Sequence, residues 1–128
     1  MTVRQAGILS GPASDVGKKG EQLAAEYLAG VGVEMESRNY RGTRGEIDLI
    51  GWDGSTLVFY EVKTRTVSRE GFTPFDCITR MKVRRMLATA REFMYARLGH
   101  EVEAQLAVVT VVPLGLEAVR IEVIPLNA

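Results

Sequence analysis

Four residues near the middle of the chain have the types and spacing to do chemistry: Glu46, Asp48, Glu61 and Lys63. They sit in two segments, GEIDLIG at 45–51 and TLVFYEVK at 56–63, both rich enough in apolar and β-branched residues to be strands. Between them stands Trp52-Asp53-Gly54-Ser55, and Asp-Gly is a preferred hairpin turn. Strand side chains alternate faces, so Glu46, Asp48 and Ile50 share a face of the first strand, and Leu57, Phe59, Glu61 and Lys63 share a face of the second. Closing the hairpin on Asp53-Gly54 sets Glu46 opposite Glu61. Closing it on Gly54-Ser55 sets Asp48 opposite Glu61. Either register gathers three carboxylates and Lys63 on one sheet face, whereas a slip by one residue separates them. The other face then carries Ile47, Leu49, Val58, Tyr60 and Val62.

Like charges across a strand pair destabilise it by up to ~1 kcal/mol, and by more when desolvated. A divalent cation resolves that repulsion, because hard cations take carboxylate oxygens. Lys63, two residues after Glu61, places its ammonium beside such a site, within reach of a phosphate or an attacking water. Glu21 borders the buried face of a preceding helix and can point into the same place. Its alternative reading is a carboxylate that complements the helix dipole. The alternative for the hairpin cluster is a plain salt bridge from Glu61 or Asp48 to Lys63.

The elements that must position these residues are legible from periodicity. Residues 1–16 show no sustained pattern and read as a flexible tail, with a single domain over 17–128. Leu23, Ala24, Tyr27, Leu28 and Val31 recur at helical spacing over 17–29, and Gly30 and Gly32 end that helix. A strand follows around Val33, Met35 and Ser37, with Asn39 and Gly42 marking a turn. After the hairpin, residues 64–76 form a long loop, of a length that is often functional. A second helix over 78–98 has an apolar stripe of Val83, Met86, Leu87, Ala90, Phe93 and Met94, with Arg80, Arg84 and Arg91 on another side. Strands near 106–112 and 119–124 complete the order helix, three strands, helix, two strands. A helix returning from one strand to another points to a parallel crossover in a mixed sheet, hence an α/β class.

Composition adds boundaries. Sixteen basic and sixteen acidic residues cancel overall, but residues 62–100 carry nine basic and three acidic side chains between two acidic ends. A basic middle can serve phosphate backbones, and it can equally be a solvated helix face. One cysteine, Cys77, excludes an intrachain disulfide and a CxxC site, and His100 reads as a loop residue rather than part of a triad. No stretch of ~18 apolar residues predicts a membrane span. The N-terminus has no basic start followed by an apolar run, so a cytoplasmic protein is expected.

The chain resembles the bacterial YraN family, which is similar to PD-(D/E)XK nucleases and archaeal Holliday-junction resolvases. The matching stretches are GKKGE at 17–21 with Ala24 and Leu28, RNYR at 38–41, GEIDLI at 45–50, LVFYEVKTR at 57–65, and Lys82 and Ala90 in the second helix. The chain departs from the family's pattern at Gln105-Leu106-Ala107, where an Arg-x-Asp motif is usual, and at Tyr60, where valine is usual. The resemblance implies a restriction-endonuclease-like three-layer core, a mixed β-sheet flanked by helices in the order α-β-β-β-α-β-β. It implies that Asp48 and Glu61 bind Mg²⁺ or Mn²⁺, that Lys63 is the catalytic lysine, and that Glu21 is the helix acid and a further metal ligand. The function expected is metal-dependent cleavage of phosphodiester bonds in DNA, including branched DNA, with Arg65, Arg69, Arg80, Lys82 and Arg84 positioning the backbone. Related resolvases act as dimers, which extends the expectation to a homodimer. The alternative is a non-catalytic nucleic-acid-binding or adaptor protein that keeps the fold.

Overall fold

Largely apolar runs at 57–62 and 106–111 give central strands buried on both faces, and apolar residues at helical spacing along two other segments give the helices that cover them. The computed structural model describes residues 2–4, 13–64, 78–115 and 118–126. Its elements are β1 (Thr2–Arg4), α1 (Ala13–Gly30), β2 (Glu34–Arg41), β3 (Glu46–Asp53), β4 (Thr56–Thr64), α2 (Arg80–Leu98), β5 (Ala104–Pro113) and β6 (Ala118–Leu126). The six strands form one sheet in the order β1-β6-β5-β4-β3-β2. Only β4 and β5 pair in parallel, with α2 as their crossover, so the sheet is mixed as the element order predicts.

The central strand β4 shows why there are three layers. Val58, Tyr60 and Val62 pack with Leu23, Ala24 and Leu28 of α1. Leu57 and Phe59 pack with Met86, Ala90 and Phe93 of α2. Phe93 is fully buried and meets Tyr40 and Phe59 edge-to-face, with ring centroids 5.0 and 5.9 Å apart. Burying a side chain of that size stabilises by roughly 1.5–3 kcal/mol. Thr79 caps the start of α2 by accepting the Lys82 N–H, and Gly99, in the left-handed region at φ 80°, closes its end onto the carbonyls of Met94 and Tyr95.

Several boundaries differ from the sequence reading. α1 begins at Ala13 rather than Gly17, and Thr2–Arg4 lie along β6 as an edge strand. Both stretches lack a periodicity of their own, so only pairing and packing reveal them. Val31 follows α1 with 53% exposure and is no part of its buried stripe. Asn39 is inside β2 rather than in a turn; the turn falls at residues 42–45, where the Gly42 N–H donates to the Gly45 carbonyl. Residues 65–77, with Arg65, Arg69 and Cys77, lie outside the described residues. Among the described residues no helix is long and apolar enough to cross a membrane.

Candidate active site

The hairpin closes on Gly54-Ser55, with Asp53 opposite Thr56 and Leu49 opposite Tyr60. This is the register that carries Asp48 level with Glu61. The regular ladder stops at Leu49, and the next contact is made by a side chain: Asp48 Oδ2 accepts the main-chain N–H of Val62 at 2.7 Å. The expected alternation of faces also breaks here. Ile47 does not join Leu49 against α1 but lies with Ile50 in the core beneath α2. β2 turns over at the same level. Arg38 reaches Gln22 of α1 at 2.9 Å, whereas Tyr40 packs on Phe93 of α2. Asn39 between them adopts φ 52°, a conformation that Asn tolerates better than most residues. The two strands therefore rotate together about Asn39 and Asp48, and the Asp48 carboxylate turns toward the β4 backbone.

Glu61 continues the face of Leu57 and Phe59 and is buried, its side chain 7% exposed. Lys63 Nζ stands 3.3 Å from its Oε1, and Lys82 Nζ reaches the same oxygen from α2 at 3.1 Å. The salt bridge left open by the sequence is thus present, but doubled, with the second lysine coming from another layer. Burial holds the Asp48 carboxyl far above the ordinary aspartate range, at about 7. The Glu61 charge adds to this, the Val62 N–H opposes it, and Glu21 and Glu46 add smaller increments. Glu21 is also raised, first by burial and then by Glu46, with Arg38 opposing. Carboxylates from three elements, Glu21, Glu46 and Glu61, therefore act on Asp48.

One glycine and one buttress bring these elements together. Gly20 is buried against Thr64 at the end of β4, where a β-carbon would overlap the threonine hydroxyl. Only glycine lets the first turns of α1 approach the strand end that carries Lys63, and Glu21 follows directly. On the other side, the Glu92 carboxylate of α2 accepts the Thr43 N–H and hydroxyl at 3.1 Å, pinning the loop before Glu46. Glu46 itself pairs at 3.4 Å with Arg41, both side chains well exposed, and so lies at the rim.

Lys63 thus pairs with Glu61, and the Asp48 carboxylate feels the charges of Glu61 and Glu21. Lys82, read from the sequence as a contact to a nucleic-acid backbone, instead points inward to Glu61. Arg80 and Arg84 are exposed on α2, while Arg91 is paired with Glu101 at 3.5 Å. The sequence pattern carried no signal for the inward turn of Lys82. Its helical position is clear, but which strand residue lies beneath it depends on how α2 docks.

Among the described residues no three Asp, Glu, His or Cys side chains gather closely enough to hold a metal ion together. Nor is any buried side-chain nitrogen or oxygen left without a partner among them. The donors nevertheless fit a hard divalent cation. They are carboxylate oxygens in a partly buried place where burial and repulsion already favour a proton on Asp48. Mg²⁺ commonly uses only one or two protein carboxylates and fills its other positions with water and phosphate oxygens. Such an ion would be held by Asp48 and Glu61, whose charges already act on each other, with Glu21 adding to the field at Asp48.

A mixed sheet between two helical layers, opened at its central hairpin by an aspartate, a glutamate and a lysine, is a restriction-endonuclease-like core. Residues 20–125 match the family described as uncharacterised protein family UPF0102, the YraN family, and the chain belongs to it. A UPF0102 protein of Symbiobacterium thermophilum is 50% identical over 86 residues, covering 67% of this chain and 71% of the relative. One from Chlorobium limicola is 39% identical over 106 residues, 83% of this chain and 81% of the relative. One from Mycolicibacterium vanbaalenii is 42% identical over 98 residues, 77% and 80% respectively.

Proposed function

We propose that this protein is a metal-dependent phosphodiesterase acting on DNA, with Mg²⁺ or Mn²⁺ held by Asp48 and Glu61. The observation that carries this reading is the state of Asp48. Among the described residues no cation pairs with it, and its neighbours are Glu61, Glu21 and Glu46. The repulsion among these carboxylates costs the fold stability, whereas a divalent ion turns it into binding energy. When bound, the ion supplies an acidified water and neutralises charge on phosphate. The Val62 N–H keeps one Asp48 oxygen fixed, so the carboxylate is oriented before any ligand arrives. Lys63, 26% exposed, can orient the water or donate to a phosphate oxygen. Arg80 and Arg84 hold the backbone of the nucleic acid without reading its sequence. Branched DNA as the preferred substrate, and a homodimer to act on it, extend this reading through the resemblance alone.

A second reading has its own observation. Glu61 is already neutralised by two lysines, which suits a protein that binds nucleic acid without cutting it. A panel of duplex, single-stranded and branched DNA and of RNA, incubated with Mn²⁺, separates the two. Cleavage that Asp48→Asn and Lys63→Ala both abolish supports the enzyme. Binding without cleavage on every substrate, unchanged by Asp48→Asn, supports the adaptor.

A further inference from the structure

Among the described residues, Lys82 is the one that ties α2 by an ion pair to the buried carboxylate. Its ammonium lies 3.1 Å from Glu61 Oε1, yet its side chain remains 36% exposed, so it joins the buried acid to the surface. The main chain at this position is held independently, because the Lys82 N–H is fixed by the Thr79 cap at 3.1 Å. The helix start therefore does not need the ammonium in order to form. Lys63 pairs with the same oxygen at 3.3 Å. One carboxylate oxygen thus has two ammonium partners, while Asp48 beside it has none among the described residues.

We infer that Lys82 is an exchangeable counter-ion: it occupies Glu61 while no metal is bound, and a divalent cation at Asp48 and Glu61 displaces it toward the phosphate backbone of the nucleic acid. The inference rests on the metal-site reading above. Two cations cannot both enjoy the full field of one carboxylate, so an ion arriving at Glu61 weakens its hold on the ammonium. Lys63 is constrained by its strand to stay on the Glu61 face. Lys82 hangs on a long flexible stem at the first turn of α2, next to the exposed Arg80 and Arg84, and can move to their side. Released there, it adds one phosphate contact. Metal loading then strengthens nucleic-acid binding, and by reciprocity nucleic acid strengthens metal binding. Lys82 is in this sense a positioning residue for Glu61 and, after exchange, a substrate contact.

The test is Mn²⁺ titration calorimetry on the full chain as wild type, Lys82→Met, Lys82→Gln and Lys82→Arg, with DNA binding measured against salt in chelator and in Mn²⁺. Removing the competing charge should tighten Mn²⁺ binding about tenfold in Lys82→Met, with Lys82→Arg close to wild type. The slope of log affinity against log salt should steepen by about one in Mn²⁺ for wild type and stay unchanged for Lys82→Met. Should Lys82→Met fail to fold, Lys82→Gln carries the same expectations. A folded neutral variant that binds Mn²⁺ no more tightly than wild type overturns the counter-ion role alone. Mn²⁺ binding to none of the four proteins overturns both this inference and the nuclease reading. Tighter Mn²⁺ binding and the slope change without cleavage of any substrate uphold the exchange and overturn only the enzyme.

Discussion

The Asp48 carboxylate accepts the Val62 main-chain N–H at 2.7 Å, where the β3–β4 ladder would otherwise continue. A side chain here takes the place of a backbone partner, and the hairpin opens around it. The same bond ties the acid on β3 to the Glu61-Val62-Lys63 run on β4, so the geometry of the site and the pairing of its two strands are one feature.

That bond separates two substitutions. Asp48→Asn keeps an oxygen for the Val62 N–H and removes a charge repelled by Glu61, Glu21 and Glu46. Its denaturant midpoint in chelator is expected to equal or exceed that of wild type. Asp48→Ala leaves the N–H without its acceptor and should lose about 1–3 kcal/mol. Equal losses in both variants would mean that the charge, not the hydrogen bond, supports the fold.

Stability should also depend on pH through Asp48. Its folded carboxyl is raised from 3.8 to about 7, chiefly by burial and then by Glu61, so the folded state holds the proton more tightly than the unfolded chain. The stabilisation is complete below the unfolded value and is lost as pH rises through the folded one. In chelator, the melting temperature of wild type should fall from about pH 4 to about pH 7 relative to Asp48→Asn. Mn²⁺ should reverse this at the upper end, because a ligand of the folded state replaces the proton. Parallel pH curves for the two proteins would contradict the assignment.

Glu61 should behave in the opposite way to Asp48. Glu61→Gln leaves the ammoniums of Lys63 and Lys82 together without their common partner. Fully buried pairs cost 3–5 kcal/mol when broken, but both lysines retain contact with water, so roughly 1–2 kcal/mol is expected. Chemical denaturation in chelator reads the difference; a Glu61→Gln protein as stable as wild type would show that the lysines need no anion.

The approach of α1 to the strand end should appear as coupling between Gly20 and Thr64. Gly20→Ala forces a β-carbon onto the threonine and should cost about 1–3 kcal/mol. In a Thr64→Ala background the cost should shrink, and a double-mutant cycle measures by how much. Strict additivity would place the strain elsewhere.

The nucleic-acid surface is testable at Arg80 and Arg84, which are exposed, and not at Arg91, which Glu101 already engages. Reversing Arg80 and Arg84 to Glu should weaken binding for all sequences alike and flatten its salt dependence. Reversing Arg91 should have the smaller effect. Affinity that ranks the other way would move the surface toward the C-terminal end of α2.

The residues themselves determined the hairpin, both long helices, the parallel crossover and the placing of Asp48 and Glu61 on paired strands. Each rests on a local rule: a glycine between two apolar runs turns the chain, apolar spacing of two or 3.6 defines an element, and a helix between two strands runs them parallel. Other features needed the tertiary structure. The turns Asp53-Gly54 and Gly54-Ser55 differ by two residues in register and present the same strand faces, so only the pairing of the folded strands, Asp53 opposite Thr56, decides between them. The period-two rule assumes a regular ladder and so misplaced Ile47, because Asn39 and Asp48 rotate their strands at the same level. β1 is too short to have a pattern and exists only through pairing with β6. Lys82 looks like any surface lysine in a basic stretch. Its contact with Glu61 joins residues 21 positions apart in different layers, and only the docking of α2 on the sheet brings them to 3.1 Å.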